Sequence, residues 1–476
     1  MNKTKIVCTI GPASISEEIL LGLYSAGMSV ARLNGSHADM EWHTRAIREI
    51  RRVVSEVPIL FDIPGRKIRT QQLANEPNFA VGDTLTLTTD TSHDGTLKVP
   101  VNYPNLHLDL ASGQTILADD GTLRFRILEI AERDIICIAE TAGQLKSRKG
   151  INVPFVQLNT PQVTSRDEEM INFARELGVD FIGLSFVESA AHIHAVRTLI
   201  DGTSPRIVAK IENQRGMEFM HEVIEAADAI MIDRGDLSVE TSLHDVIVRQ
   251  KAIISVAKEF GRPVIVATEM LHTMIGNPFP TKAEVSDITN AVLDGCAATM
   301  LSGETAIGAF PIEAVKLMKG VAMAAEQFLI EQNARQPVEM DQAPQLIARS
   351  VLELSSSLPV TKIVAITRSG FAAQLIAAHG PNQPIIAVSD DPKAALAFNL
   401  INGVTGVLCD FPFARSSLDF ISKLLKMLWD RGLIDSSDLI LLTGLTFPTS
   451  GQRMNTIQIH NVADLSHLFG WQPISN

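Results

Sequence analysis

Lys210 and Glu212 stand two positions apart at the end of a short apolar run, and residues two apart on an extended chain point to the same side. Asp236 closes the next such run. Two carboxylates from adjacent strands offer the hard oxygen ligands that Mg2+ accepts alongside water and substrate oxygens, and a lysine aimed into the same space neutralises charge on a moving group. The chemistry these residue types suit is metal-assisted phosphoryl transfer. Other run ends carry Arg32, Asn34 and Ser36, then Asp62, Ser185, Arg234, Gly235, Thr268, Ser302, Gly303 and Glu304. Taken singly, each carboxylate is as readily a surface ion pair, Lys210 an exposed strand-end lysine, and Ser36 a helix N-cap. Their joint placement at the ends of successive runs is what favours a site.

The runs themselves explain how such residues would be gathered. Eight are nearly continuously hydrophobic: Lys5–Thr9, Ser29–Leu33, Ile59–Ile63, Asp180–Ser185, Ile207–Lys210, Ala229–Ile232, Val264–Thr268 and Thr299–Ser302. Strands buried on both faces read this way, and helical patterns separate them. Ser14, with Glu17 three residues on and then Ile19, Leu20 and Leu23, predicts a capping box opening the first helix. Eight strand–helix units predict a (β/α)8 TIM barrel, whose active site lies at the C-terminal ends of the strands.

From about Gln71 to Phe155 the pattern changes to short strands, Thr84–Thr88, Thr115–Leu117, Leu123–Ile127 and Asp134–Ile138, punctuated by Gly82-Asp83-type turns that include Asp120-Gly121. An inserted all-β lid domain is expected at 70–155, interrupting a catalytic barrel formed by 1–69 and 156–332. Residues 331–344 carry few large apolar side chains and two prolines, and read as a linker. Beyond it, runs at Ile363–Ile366, Ile385–Val388, Gly406–Cys409 and Leu439–Leu442 alternate with helical patterns at Phe371–Ala378, Pro392–Leu400 and Ser416–Asp430. These predict a C-terminal three-layer α/β domain over 345–476.

Composition excludes several classes. With 41 Lys and Arg against 54 Asp and Glu, the net charge is −13, which disfavours nucleic-acid binding. Any anionic substrate must meet a local cluster of cations. No apolar run approaches the roughly 20 residues needed to span a bilayer, so no membrane role is expected. The first ten residues read as a strand rather than a signal peptide. Cys8, Cys137, Cys296 and Cys409 are scattered, as reduced core thiols of a cytoplasmic protein would be.

Longer strings carry a family resemblance. KTKIVCTIGPAS at 3–14, RLNGSH at 32–37, KGINVP at 149–154, AKIENQRG at 209–216, RGDLSVE at 234–240, VIVATEML at 264–271, NPFPTKAEVSDITNAVLDG at 277–295 and MLSGETAIG at 300–308 resemble pyruvate kinases in order and spacing. The resemblance implies transfer from phosphoenolpyruvate to ADP, giving pyruvate and ATP, with Mg2+ or Mn2+. It implies Lys210, Arg32 and Thr268 as the catalytic set, with Arg32 and Ser185 on the phosphate and Gly235, Asp236 and Thr268 on the substrate carboxylate. Glu212 and Asp236 become the divalent-metal ligands, Asn34, His37, Arg69 and Lys149 nucleotide contacts, and Asn34, Ser36 and Asp62 the monovalent-cation site. A homotetramer is implied as well.

Departures cluster at these same places. Gly35 and Ala38 replace an aromatic and a glycine, Ile63 a threonine, and Lys67 an acidic residue. Asp233 replaces a small residue, Glu269 a glutamine, and Phe279 an arginine. Asp233 could repel an anionic substrate, alter the metal shell or turn away harmlessly. Ile63 and Lys67 together predict that K+ is not required, a tethered ammonium standing in for the free ion. Thr367-Arg368-Ser369-Gly370 is similar to the start of a phosphate effector loop, and equally reads as a plain turn opening a helix. Two other functions stay open: an altered enolpyruvate-type substrate, and a weakly catalytic nucleotide-binding regulator.

Overall fold

The computed structural model describes residues 3–119, 121–154, 156, 158–159, 161–202, 204–331, 343–413, 419–444 and 454–471. Eight parallel strands close into a barrel: β1 (Lys5–Thr9), β2 (Val30–Asn34), β3 (Ile59–Ile63), β4 (Phe181–Leu184), β5 (Arg206–Ile211), β6 (Ala229–Asp233), β7 (Val264–Ala267) and β8 (Ala298–Leu301). Each pairs in parallel with its sequence neighbours, and β8 pairs with β1 to close the ring. All eight expected runs are strands: Lys5–Thr9 and Ile59–Ile63 match to the residue, and the other six differ by one residue at one end or both.

The alternation of a strand decides what faces the lumen. Val7, Val30, Leu60, Phe181, Val208, Met231, Ile265 and Met300 share one buried cluster inside the barrel. Their neighbours, such as Ile6, Ala31, Phe61, Ile207 and Ile230, belong to a larger cluster between strands and helices. Thr9, Arg32, Asp62, Lys210 and Asp233 each lie two residues beyond a lumen-facing apolar residue. The same pleat that buries the lower layer therefore turns all five inward at the upper rim.

The first helix, Glu17–Ala26, is capped by Ser16, whose hydroxyl accepts from Ile19 N, and not by Ser14. Ser14 instead receives the Gly11 amide at 3.0 Å, a tighter local turn that takes its hydroxyl out of capping range. The second, Met40–Val53, is capped by Asp39 rather than Ser36.

Between β3 and β4 a seven-stranded sheet runs in the order Ile68–Arg69, Gly150–Asn152, Thr115–Ala118, Leu123–Ala131, Asp134–Ala139, Thr84–Thr88 and Val99–Pro100. A short helix, Leu106–Asp109, interrupts the otherwise all-β insertion. It has its own core around Leu87, Ile116, Phe125 and Ile135. Asp120 of one expected turn lies outside the described residues.

The C-terminal sheet orders its strands Val404–Leu408, Ile385–Ser389, Lys362–Ile366, Leu439–Gly444 and Thr456–Asn461. The last is antiparallel and was not expected, since its TIQIHN stretch lacks a continuous apolar run and is only partly buried. Residues 332–342 of the expected linker and 414–418 of the expected Ser416–Asp430 helix lie outside the described residues, and that helix is described from Asp419. The helix expected at Pro392–Leu400 is α-helical to Ala397 and then tightens to a 3-10 turn, Phe398–Leu400. All four cysteines are free and buried. Among the described residues no helix is long and apolar enough to cross a membrane.

Candidate active site

Lys210 is the centre of the rim. Its Nζ lies 3.0 Å from Glu212 Oε2, 3.1 Å from Asp233 Oδ2 and 3.6 Å from Asp62 Oδ2, and donates to Ser185 Oγ at 3.2 Å. Burial opposes the charge on this ammonium, yet Asp62, Glu212 and Asp233 outweigh it and hold the pKa well above the ordinary lysine value. Arg32 reaches the same carboxylate from β2, donating to Asp62 Oδ2 at 2.5 Å and to Thr9 Oγ1 at 3.1 Å. Gly183 makes room for Asp62, because a Cβ there would stand 2.5 Å from Asp62 Oδ1.

Glu212, Asp233 and Asp236 bring carboxylate oxygens within 4.8 Å of one another. Glu212 is fully buried; its Oε1 accepts the Phe186 amide at 2.7 Å, while its Oε2 faces the Lys210 ammonium as an ion pair at 3.0 Å. Burial first, then Asp236, Asp233 and Asp62, push the Glu212 pKa up to about 8 against the pull of Lys210. Burial and Asp233 also raise Asp236. For Asp233 burial acts in the same upward sense, but Lys210 and Arg32 prevail and hold it below the usual range. Three hard carboxylate oxygens packed this closely in a buried rim are a donor set that fits a divalent cation. Lys67 Nζ sits 2.5 Å from Asp236 Oδ1.

On the other side of the rim, Thr268 has φ +67°, a left-handed backbone that strains a β-branched residue. Its hydroxyl donates to Ala267 O at 2.6 Å and accepts the Gly235 amide at 2.9 Å. Arg234 fastens that turn, donating to Thr268 O at 2.6 Å and pairing with Asp287 at 2.6 Å.

Two sequence matches span most of the chain, and the first contains all of these residues. Residues 1–315 match the family described as "Pyruvate kinase, barrel domain", and residues 345–460 that described as "Pyruvate kinase, alpha/beta domain". The chain belongs to the pyruvate kinase family. Among its relatives, a pyruvate kinase of Bacillus licheniformis is 38% identical over 98% of this chain and 81% of its own length. One of Clostridium perfringens is 37% identical over 94% of this chain and 97% of its own, and one of Thermotoga maritima 35% identical over 97% and 100%.

Within this member of the family, Arg32, Asp62, Ser185, Lys210 and Glu212 converge on one cluster, with Gly235, Asp236 and Thr268 beside it. Glu304, another rim residue, serves the scaffold: it is buried and accepts the Leu271 and Ser302 amides at 3.0 and 2.7 Å. Asn34 Oδ1 accepts the Ser36 amide at 3.0 Å. Partial desolvation of the His37 ring first, then Arg69 and Arg32, lower its pKa. Arg69 pairs in register with Gly150 and donates to Arg148 O, whereas Lys149 is engaged by Asp119 at 2.6 Å. His37 donates its amide to Asn34 O at 3.1 Å, so these two stand together at the barrel side of the junction while Arg69 and Lys149 stand on the insertion side.

The departures resolve unequally. Asp233 turns neither outward nor away: it faces Lys210. Ile63 packs outward in the strand–helix layer, so no side chain at 63 reaches the rim, and its change from threonine does not bear on a cation there. At Gly35 a Cβ would meet Met170 Cε at 2.4 Å and Asp62 O at 2.6 Å, so the aromatic of other family members has no room. Phe279 is 77% exposed, and Arg368 is held by Asp390. Sequence reasoning missed Thr9, Phe186 and Glu240. Asn152 Nδ2 donates to Glu240 Oε1 at 2.6 Å, and Phe186 adopts φ +53°, which no residue type signals.

Proposed function

We propose that this chain is a phosphotransferase that moves the phosphoryl group of phosphoenolpyruvate to ADP, giving pyruvate and ATP. The observation that carries the reading is the buried Lys210 ammonium beside Ser185 at the barrel rim, flanked by Arg32 and the carboxylate cluster. In this reading Arg32, Ser185 and Lys210 bind the phosphate, and Lys210 stabilises charge as the phosphorus leaves the enol oxygen. The Gly235 amide and Thr268 hydroxyl exchange their mutual hydrogen bond for the substrate carboxylate. Asn34, His37, Arg69 and Lys149 hold the nucleotide, whose terminal oxygen takes the phosphoryl group. The insertion acts as a lid that excludes water.

Glu212 and Asp236, with Asp233 beside them, would hold Mg2+ or Mn2+, which when bound neutralises charge on the transferring group. The active assembly is proposed to be a cytoplasmic homotetramer, which light scattering at micromolar concentration checks. The decisive assay couples pyruvate formation to a dehydrogenase, omitting phosphoenolpyruvate, ADP and Mg2+ in turn. Turnover that needs all three is the expected result; nucleotide binding with no turnover would point instead to a regulatory paralogue.

A further inference from the structure

Lys67 is seated on three sides. Its ammonium lies 2.5 Å from Asp236 Oδ1 and 5.8 Å from the centre of the Phe186 ring, and its stem passes Gly150 so closely that a Cβ there would stand 2.8 Å from Lys67 Cε. The seat spans two parts of the molecule: Asp236 belongs to the barrel rim, and Gly150 to a strand of the inserted sheet. Phe186 joins it to the carboxylates, since the same residue donates its amide to Glu212. The pair is largely buried, with side chains 14% and 15% exposed, so solvent screens it weakly. A positive group thus occupies one member of the three-carboxylate cluster, the member a divalent ion would also need.

We infer that Lys67 is a tethered place-holder at the Glu212/Asp233/Asp236 cluster, an ammonium that neutralises Asp236 until a divalent cation displaces it and thereby loosens the root of the inserted sheet. This rests on reading the cluster as a divalent-ion site. Without a cation, three carboxylates within 4.8 Å repel one another, and Lys67 removes part of that repulsion. When the ion takes Asp236, the ammonium must leave its carboxylate, and because its stem lies against Gly150 the departure is felt in the sheet. Ion occupancy and sheet mobility are then one equilibrium, and by linkage each alters the other equally.

The test uses the full-length protein with Mn2+ alone, no substrate present. Paramagnetic titration of free Mn2+ should give tighter binding by roughly tenfold or more in Lys67→Met than in the native chain, because the competitor is gone. In the native protein, Mn2+ should also speed amide exchange at residues 67–70 and 149–152; in Lys67→Met exchange there should already be fast and insensitive to Mn2+. Equal Mn2+ affinity in the two proteins, or native exchange that Mn2+ leaves unchanged, would overturn the inference while leaving the metal site standing. If neither protein binds Mn2+, both the inference and the metal-site reading are wrong. The native exchange measurement decides the matter even if the variant does not fold.

Discussion

At the scale of single residues, the rim is a problem in charge. Four carboxylates, Asp62, Glu212, Asp233 and Asp236, surround Lys210, Arg32 and Lys67 in a space that water barely enters. Removing one cation from such a set leaves buried negative charge unpaired and takes away the group aimed at the phosphoryl oxygens. Lys210→Met should therefore lower turnover on the order of 10²–10³-fold, the range typical for losing one preorganised group, with a much smaller change in substrate KM. Steady-state kinetics check it, and near-normal turnover would remove Lys210 from the catalytic role. Lys67 bears on monovalent cations. With Ile63 facing the helices, the expectation of K+ independence rests on Lys67 alone, whose permanent charge at the rim would offset an anionic substrate without a free ion. Turnover in K+-free buffer, balanced with a bulky organic cation, should match that with K+. Lys67→Glu should create a K+ requirement; a many-fold activation of the native enzyme by K+ would contradict the prediction.

Among the elements, the short helix Arg234–Glu240 is the one on which barrel and insertion meet. Asp236 receives Lys67, Glu240 receives Asn152, and Val239 lies against the hairpin glycine Gly121. Burial first, then Asp236 and Glu188, push Glu240 from 4.5 up to about 7, against Asn152 and Lys67, which favour its ionised form. If the insertion lifts away, Glu240 meets water and returns toward 4.5, so the closed form binds the proton more tightly than the open one. Raising pH from about 4.5 to about 7 must then favour opening, with no further change above that window. Protection of the amides at 150–153, taken relative to their intrinsic base-catalysed exchange rates, should fall across this interval in the native protein and lose that pH dependence in Glu240→Gln; native protection that does not change with pH would refute the coupling. Much of the barrel was legible beforehand, because strands buried on both faces leave continuous apolar runs. The direction of Asp233, which the sequence left open, follows in the structure from the pleat: it stands two residues past Met231 and four past Ala229, both inward-facing. What the sequence concealed was pairing across long separations. Nothing in the residues near Lys67 says that it meets Asp236, and nothing near Glu240 names Asn152. The same holds for Phe186, whose left-handed backbone is imposed by its surroundings.

The whole molecule is tied together at the end of the barrel opposite the site. Ala397 and Leu400, from the C-terminal domain, belong to the same buried cluster as the lumen residues Val7, Val30, Leu60, Phe181 and Met231, so they close the bottom of the barrel. Polar contacts surround this plug. Arg206, which opens β5, donates to Ser369 O at 3.0 Å and lies 5.3 Å from the centre of the Phe398 ring, while Lys5 donates to Val404 O at 2.6 Å. The strand that ends in Lys210 therefore begins on the C-terminal domain. A shared apolar core couples two domains far more strongly than a wet interface does, because neither can unfold without exposing the other's lining. Leu400 is 1% exposed, and cutting it to alanine leaves a void between rigid barrel strands that cannot collapse onto it. Leu400→Ala should cost about 2–5 kcal/mol, and the loss should fall on barrel and C-terminal domain alike. Calorimetry of the native protein should accordingly show these two parts melting in one transition, and the variant should shift that transition down as a unit. Two well-separated native transitions, or a variant in which only one part melts early, would show that the plug does not unite them.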